Sequence, residues 1–216
     1  MRRFVINLKR RPERLEQFFK RCPYPKESIE VIEAFDGKFP EKESKPERKM
    51  VQKFRKHIQM GARGCAITHF RIWKKMINEN IPIAMIFEDD AQFSEFFYEF
   101  METLTIPENI NILYFGGRFH PDFIIPDTHL IKVNDKIYKH NHENQWNMMI
   151  HERTTHGYII TSRLARFLIH LFEINETNNE EIDHHMIHTF RGLNLPYYST
   201  YPLVCWSPMI SDSDIR

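Results

Sequence analysis

The longest apolar run, Ile81 to Phe87, ends directly in Glu88-Asp89-Asp90. A run this short cannot cross a bilayer, which takes about 20 residues. It reads instead as a strand buried on both faces, the kind found in the middle of an α/β sheet. In such sheets ligands gather at the carboxyl ends of the strands. Three carboxylates placed there repel one another. Alternate residues of an extended chain point the same way, so Glu88 and Asp90 should share one target while Asp89 turns away. Two hard oxygen ligands suit Mn²⁺ or Mg²⁺ carrying a diphosphate. A solvated acidic turn is the alternative reading.

The flanking segments supply the rest of an α/β fold. A first strand is predicted over 3–8, around Phe4-Val5-Ile6. Pro12 then suits the first turn of a helix whose stripe is Leu15, Phe18 and Phe19, stopped by Cys22-Pro23. A second strand over 29–35 is closed by Asp36-Gly37. Strand, helix, strand at this spacing predicts a parallel βαβ unit. Residues 38–60 read as a mobile basic loop or a weak surface helix, either a solvated face or a phosphate-attracting flap. After Gly61 to Gly64 a strong helix follows, carried by Ile67, Phe70, Trp73 and Ile77 and ending near Asn80. Further on, the pattern predicts a helix over 95–104 and a strand over 111–115 closed by Gly116-Gly117. A strand over 155–161 leads into a helix over 163–171 capped by Ser162. A short helix to Phe190 and a strand over 193–197 complete it. Residues 118–152 yield only a hairpin near Leu130 to Tyr138. With 216 residues, no internal repeat and no linker, one domain over 1–216 is expected.

The net charge of +1 argues against a strongly basic nucleic-acid binder. The average hides a split: 21 Lys/Arg against 9 Asp/Glu through Lys75, then 9 against 20. Cys22, Cys65 and Cys205 form no CxxC and point to free thiols in a reducing compartment. No leader is evident, since Arg2-Arg3 precede only a short apolar stretch. The expectation is a cytoplasmic chain, or a peripheral one at a membrane face, with no transmembrane segment.

Other polar groups carry open readings. Asn7, Arg10, Arg11 and Arg14 follow the first strand and could meet a nucleotide or form an ordinary basic surface. His69 is either a packed polar contact or an active-site group. Asp183, His184, His185 and His188 gather on a short helix, with Asp183 on a different side from His185; they read as a surface polar helix, or supply a metal ligand and a base. Gly116-Gly117 allows close approach of a sugar, or makes a turn. No HExxH, GxSxG, GxGxxG or zinc-type Cys/His spacing occurs.

Taken in order, these pieces resemble glycosyltransferase family 25, the lipopolysaccharide-type and procollagen galactosyltransferase-like enzymes. The resemblance rests on Phe4-Val5-Ile6-Asn7-Leu8 with Arg11, Arg14 and Leu15, on Ala34-Phe35-Asp36-Gly37, and on Gly64-Cys65-Ala66-Ile67-Thr68-His69 with Trp73. It continues through Phe87-Glu88-Asp89-Asp90-Ala91, Gly157-Tyr158-Ile159-Ile160-Thr161, Asp183 and Ser213-Asp214-Ile215. Thr68 stands for the usual serine, Phe87 for leucine, and Ala62 for a glutamate.

The resemblance implies a GT-A-like fold, a mostly parallel central sheet flanked by helices. It implies a UDP-hexose donor (galactose or glucose), Mn²⁺ or Mg²⁺, and inverting transfer to a hydroxyl of a glycan, glycolipid or hydroxylysine. Asn7, Arg11, Arg14, His69, Gly116 and Gly117 would serve the donor. Glu88, Asp90 and His185 would hold the metal. Asp183 would be the general base, with Asp89 in reserve. The alternatives are a nucleotide-sugar-binding module that assists a partner, and a polyanion-binding protein.

Overall fold

The structure, a computed structural model, describes residues 1–116, 130–141, 154–175 and 180–207. Gly117, much of the 118–152 stretch and the Ser213 to Ile215 match lie outside the described residues.

The chain opens with β1 (Arg2–Asn7), α1 (Pro12–Arg21) and β2 (Glu30–Glu33). Two helices follow, α2 (Lys45–Val51) and α3 (Met60–Asn78), then β3 (Ile83–Glu88), β4 (Gln92–Phe93), α4 (Phe97–Glu102) and β5 (Ile112–Tyr114). A hairpin of β6 (Leu130–Lys132) and β7 (Ile137–His140) precedes β8 (Gly157–Thr161). Next come α5 (Ser162–Ile174), α6 (Ile182–Gly192), β9 (Tyr198–Thr200) and β10 (Cys205–Trp206).

Among the described residues eight strands form one sheet in the order β2-β1-β3-β8-β5-β9-β7-β6, while β10 pairs with β4. Six of the eight point one way and only β8 and β7 run against them. The mostly parallel α/β architecture expected from the sequence is therefore present. The apolar run explains why β3 is central: Ala84, Met85, Ile86 and Phe87 are each 0% exposed. Phe4, Ile6, Ile86, Tyr158 and Ile160 pack toward α3, α5 and α6. Val5, Met85, Phe87 and Ile159 pack on the other face with Phe18 of α1 and Phe97 of α4. No helix among the described residues is long and apolar enough to cross a membrane.

Several boundaries differ from the sequence reading. The segment 38–60 holds a helix, α2, capped by Ser44, whose side chain accepts from the Glu47 amide. Its edge is buried through Val51, and Phe54 and Ile58 just beyond it are also buried, so the basic residues are one face of a packed element. The helix predicted over 95–104 is only Phe97–Glu102. The cap of α5 is Thr161, whose hydroxyl accepts from Leu164 N at 3.3 Å, and Ser162 is already helical. The strand predicted over 193–197 lies at Tyr198–Thr200 instead. Asn194 takes a left-handed φ of 51°, and Leu195 N still bonds back to Phe190 O at 2.7 Å, so the chain extends later.

Two sequence elements lock together beside the sheet. A Cβ on Gly64 would lie 2.6 Å from the Phe35 carbonyl oxygen. Thr68 Oγ1 accepts from Phe35 N at 2.9 Å and donates to Gly64 O at 2.7 Å, with the residue 0% exposed. The hydroxyl is thus the hinge pin between the 34–37 loop and α3. Thr68→Ser should keep both bonds and near wild-type stability. Thr68→Val strands a buried amide and should cost about 1–3 kcal/mol in urea denaturation. Gly64→Ala should cost a similar amount by overpacking, about 1–3 kcal/mol.

Candidate active site

The carboxyl ends of β1 and β3 and the loop after β2 enclose a cleft of about 430 Å³. Asn7, Arg14, Glu88, Asp89 and Asp90 line it, with Arg10 and Lys38 adding further positive charge. This is where a parallel α/β sheet places its ligands. The carboxylate triplet divides into two orientations, but a turn does the dividing: β3 ends at Glu88, and Ala91 N bonds back to Glu88 O at 3.1 Å across Asp89 and Asp90.

Asp89 points into the protein. It accepts from Asn7 Nδ2 at 2.7 Å and from Arg14 Nη2, and Arg21 Nη2 donates to its carbonyl at 3.0 Å. Burial pushes its carboxyl up to about 6, a rise that Arg14 and Asn7 only partly oppose. Asp89 therefore ties the end of β3 to β1 and α1. Asn7 completes the tie by donating to Arg11 O at 3.0 Å.

Glu88 and Asp90 meet a residue that the sequence reading did not single out. The antiparallel pairing of β3 with β8 aligns Phe87 with Gly157, and Glu88 N bonds to His156 O at 3.1 Å. His156 thereby arrives beside both acids. The ligand atoms of Glu88, Asp90 and His156 all lie within 4.8 Å of one another. Asp90 Oδ1 is buried, makes no hydrogen bond, and sits 3.5 Å from His156 Nε2. Arg14 Nη2 is 3.5 Å from Asp90 Oδ2.

Burial alone would raise the Glu88 carboxyl. The His156 cation and the bonds from His69 and Thr155 outweigh it and hold the group at about 2. Burial likewise opposes the His156 charge, but Asp90 and Glu88 raise its pKa to about 9, with a smaller contribution from Asp183. Behind Glu88 stands a buried relay. His69 Nε2 is 3.4 Å from Glu88 Oε1, His69 Nδ1 is 2.7 Å from the Tyr158 hydroxyl, and Trp73 Nε1 donates to that hydroxyl at 3.2 Å.

The other candidates lie at varying distances from this centre. Arg11 is the residue before α1 and its side chain bonds to Glu13. Gly116 follows β5, and a Cβ there would sit 1.8 Å from the Cys205 carbonyl oxygen, so its open side admits protein backbone. Asp183, in the first turn of α6, gathers with Glu181 and His184 in a separate group of ligand atoms. Its charge is nevertheless felt at His156 and Cys65. His185 is not among the ligand atoms that gather with Glu88 and Asp90. Burial lowers its pKa. The signal that could have exposed His156 is its place one residue before the Gly157-Tyr158 strand.

The sequence profile of glycosyltransferase family 25 (LPS biosynthesis protein) matches residues 1–186, and the chain belongs to that family. It is 27% identical over 183 residues to procollagen galactosyltransferase 1-B of Xenopus laevis, covering 77% of this chain and 27% of that protein. It is 29% identical over 130 residues to a glycosyltransferase 25 family member of Drosophila melanogaster, covering 53% and 21%. Against procollagen galactosyltransferase 1 of Danio rerio it is 23% identical over 231 residues, covering 94% and 35%. The chain thus spans about a fifth to a third of the length of these relatives.

A stability signature follows from His156. Its folded pKa lies above its ordinary 6.5, so its contribution is complete below that pH and is lost as pH rises through about 9. Chemical denaturation from pH 6.5 to pH 9.5 or so should therefore show falling stability. His156→Gln should flatten that part of the profile.

Proposed function

We propose that this chain transfers a hexose from a UDP-sugar to a hydroxyl acceptor, with a divalent cation and with inversion, on a single GT-A-like domain. The observation that carries this reading is the meeting of Glu88, Asp90 and His156 at the rim of a cleft that Arg10, Arg14 and Lys38 also line. Acidic and basic side chains meet there, as a metal and a diphosphate together require. The donor set suits Mn²⁺ better than Mg²⁺, because imidazole joins two carboxylates. Asp90 Oδ1, buried without a hydrogen bond, is a ligand atom in want of a partner. His156 Nε2 stands 3.5 Å from that atom, and a cation held by these residues would displace the imidazole proton. When bound, the cation supplies Lewis-acid stabilisation of the departing UDP.

The chain's own groups divide the remaining work. Arg14 is oriented by Asp89 and faces the cleft, where its fixed charge offsets the diphosphate. Asn7 holds Asp89 and helps shape the nucleotide side. The acceptor oxygen attacks the anomeric carbon, forming the new glycosidic bond as the bond to the diphosphate breaks. Asp183 takes the acceptor proton, since a hydroxyl is a poor nucleophile. Two relatives are named procollagen galactosyltransferases, which supports galactose as the hexose and a hydroxylysine-type acceptor. A glycan or glycolipid hydroxyl would use the same chemistry.

The test is a donor panel read by UDP release, with and without Mn²⁺. Asp90→Ala should cut turnover by about a hundredfold or more while the fold persists. Mn²⁺-dependent turnover surviving in that variant would sink the assignment. Asp183→Asn should lower kcat by about 10²–10⁴ and leave UDP binding nearly unchanged.

A further inference from the structure

A second set of ligand atoms shares Glu88 with the first, and its other two members, Cys65 and His69, are left unused by the transfer reading. Cys65 and His69 are four residues apart on α3 and so share one helical face. That face meets the end of β3. Cys65 Sγ lies 3.9 Å from Glu88 Oε1, and His69 Nε2 lies 3.4 Å from the same oxygen. All three ligand atoms fall within 4.8 Å of one another. Around a tetrahedral Zn²⁺, with Zn–S about 2.3 Å and Zn–N or Zn–O about 2.0 Å, ligand atoms stand roughly 3.3–3.6 Å apart. The 3.4 and 3.9 Å contacts to Glu88 Oε1 lie near that spacing.

The imidazole is already braced for such a role. Its Nδ1 is 2.7 Å from the Tyr158 hydroxyl, which also accepts from Trp73 Nε1. His69, Tyr158 and Trp73 are each 0% exposed, so the ring cannot swing without disrupting the core. A fixed partner on the far nitrogen is what metal-bound imidazoles have. Cys65 lines the cleft, which gives an ion a path inward.

We propose that Cys65, His69 and Glu88 form a site for a thiophilic divalent cation, Zn²⁺ by the chemistry of the set. It adjoins the harder group of Glu88, Asp90 and His156 and shares Glu88 with it. Thiolate and imidazole favour Zn²⁺ over Mn²⁺ and Mg²⁺. Three protein ligands leave the fourth position to water. Binding exchanges the thiol proton, released to solvent, for the metal. Glu88 belongs to both groups, so an ion in the inner site would withdraw a ligand from the outer one. That consequence rests on the transfer reading, whereas the thiolate site does not.

The experiment adds Co²⁺ to the purified chain and reads the near-ultraviolet thiolate-to-Co²⁺ charge-transfer absorption. A chromophoric chelator then gives the Zn²⁺ affinity by competition. The absorption should appear in the wild type and in Asp90→Ala, yield to Zn²⁺, and vanish in Cys65→Ser. Zn²⁺ affinity of Cys65→Ser should fall by at least the ten- to hundredfold that losing a mere outer-shell partner costs. A second measurement needs no variant: Zn²⁺ should protect Cys65 from alkylation, mapped by mass spectrometry. Absence of the band in the wild type, its survival in Cys65→Ser, or unprotected Cys65 would each overturn the proposal. None of these readouts requires turnover, so a chain that released no UDP would refute the transfer reading and leave this one standing.

Discussion

Glu88 is an ionised carboxylate whose side chain is only 13% exposed. Stripping water from such a group costs several kcal/mol unless partners replace it. Three residues from two places supply the partners here: Thr155 and His156 just before β8, and His69 on α3. Each must arrive with its polar atom already aimed. That requirement explains why β8 runs against β3 at this register, with Phe87 opposite Gly157. It also explains the depth of the Trp73, Tyr158, His69 relay, which fixes the orientation of the imidazole that meets Glu88.

The neighbouring acid solves a different problem. Asp89 faces inward and joins Asn7, Arg14 and Arg21, residues contributed by β1 and both ends of α1. A row of like charges at a strand end is tolerable because alternate members answer to different partners. One set opens to the cleft and the other braces its wall. Arg14 bridges them, bonded to Asp89 and 3.5 Å from Asp90.

Much of the fold could be read from local pattern. The uninterrupted apolar run marked β3 as central because both its faces need cover. Spacing marked the first βαβ unit and α3. The direction of β8 could not be read, since a buried strand looks the same in either orientation, and His156 went unnoticed for that reason. Two adjacent hydroxyls, Thr161 and Ser162, offered equal caps to α5, and only backbone geometry separates them. Val51, Phe54 and Ile58 anchor the segment after the 34–37 loop, but lysines and arginines around them mask the apolar spacing. In the candidate site, Asn7, Arg14 and the acid triplet were legible because they follow strands directly. Cys65 gained meaning only beside Glu88, a neighbour 23 positions away.

The place of β8 has a bearing on the birth of the chain. It sits between β3 and β5, yet it is made after both. As the polypeptide leaves the ribosome, the β2-β1-β3 unit can assemble while β3 still presents an open edge, apolar from Ile83 to Phe87. The strand β5 cannot join until residues 157–161 are inserted. An exposed edge of this kind invites pairing with other chains. The interval before residue 161 emerges is thus the period in which a holdase chaperone would have most to shield.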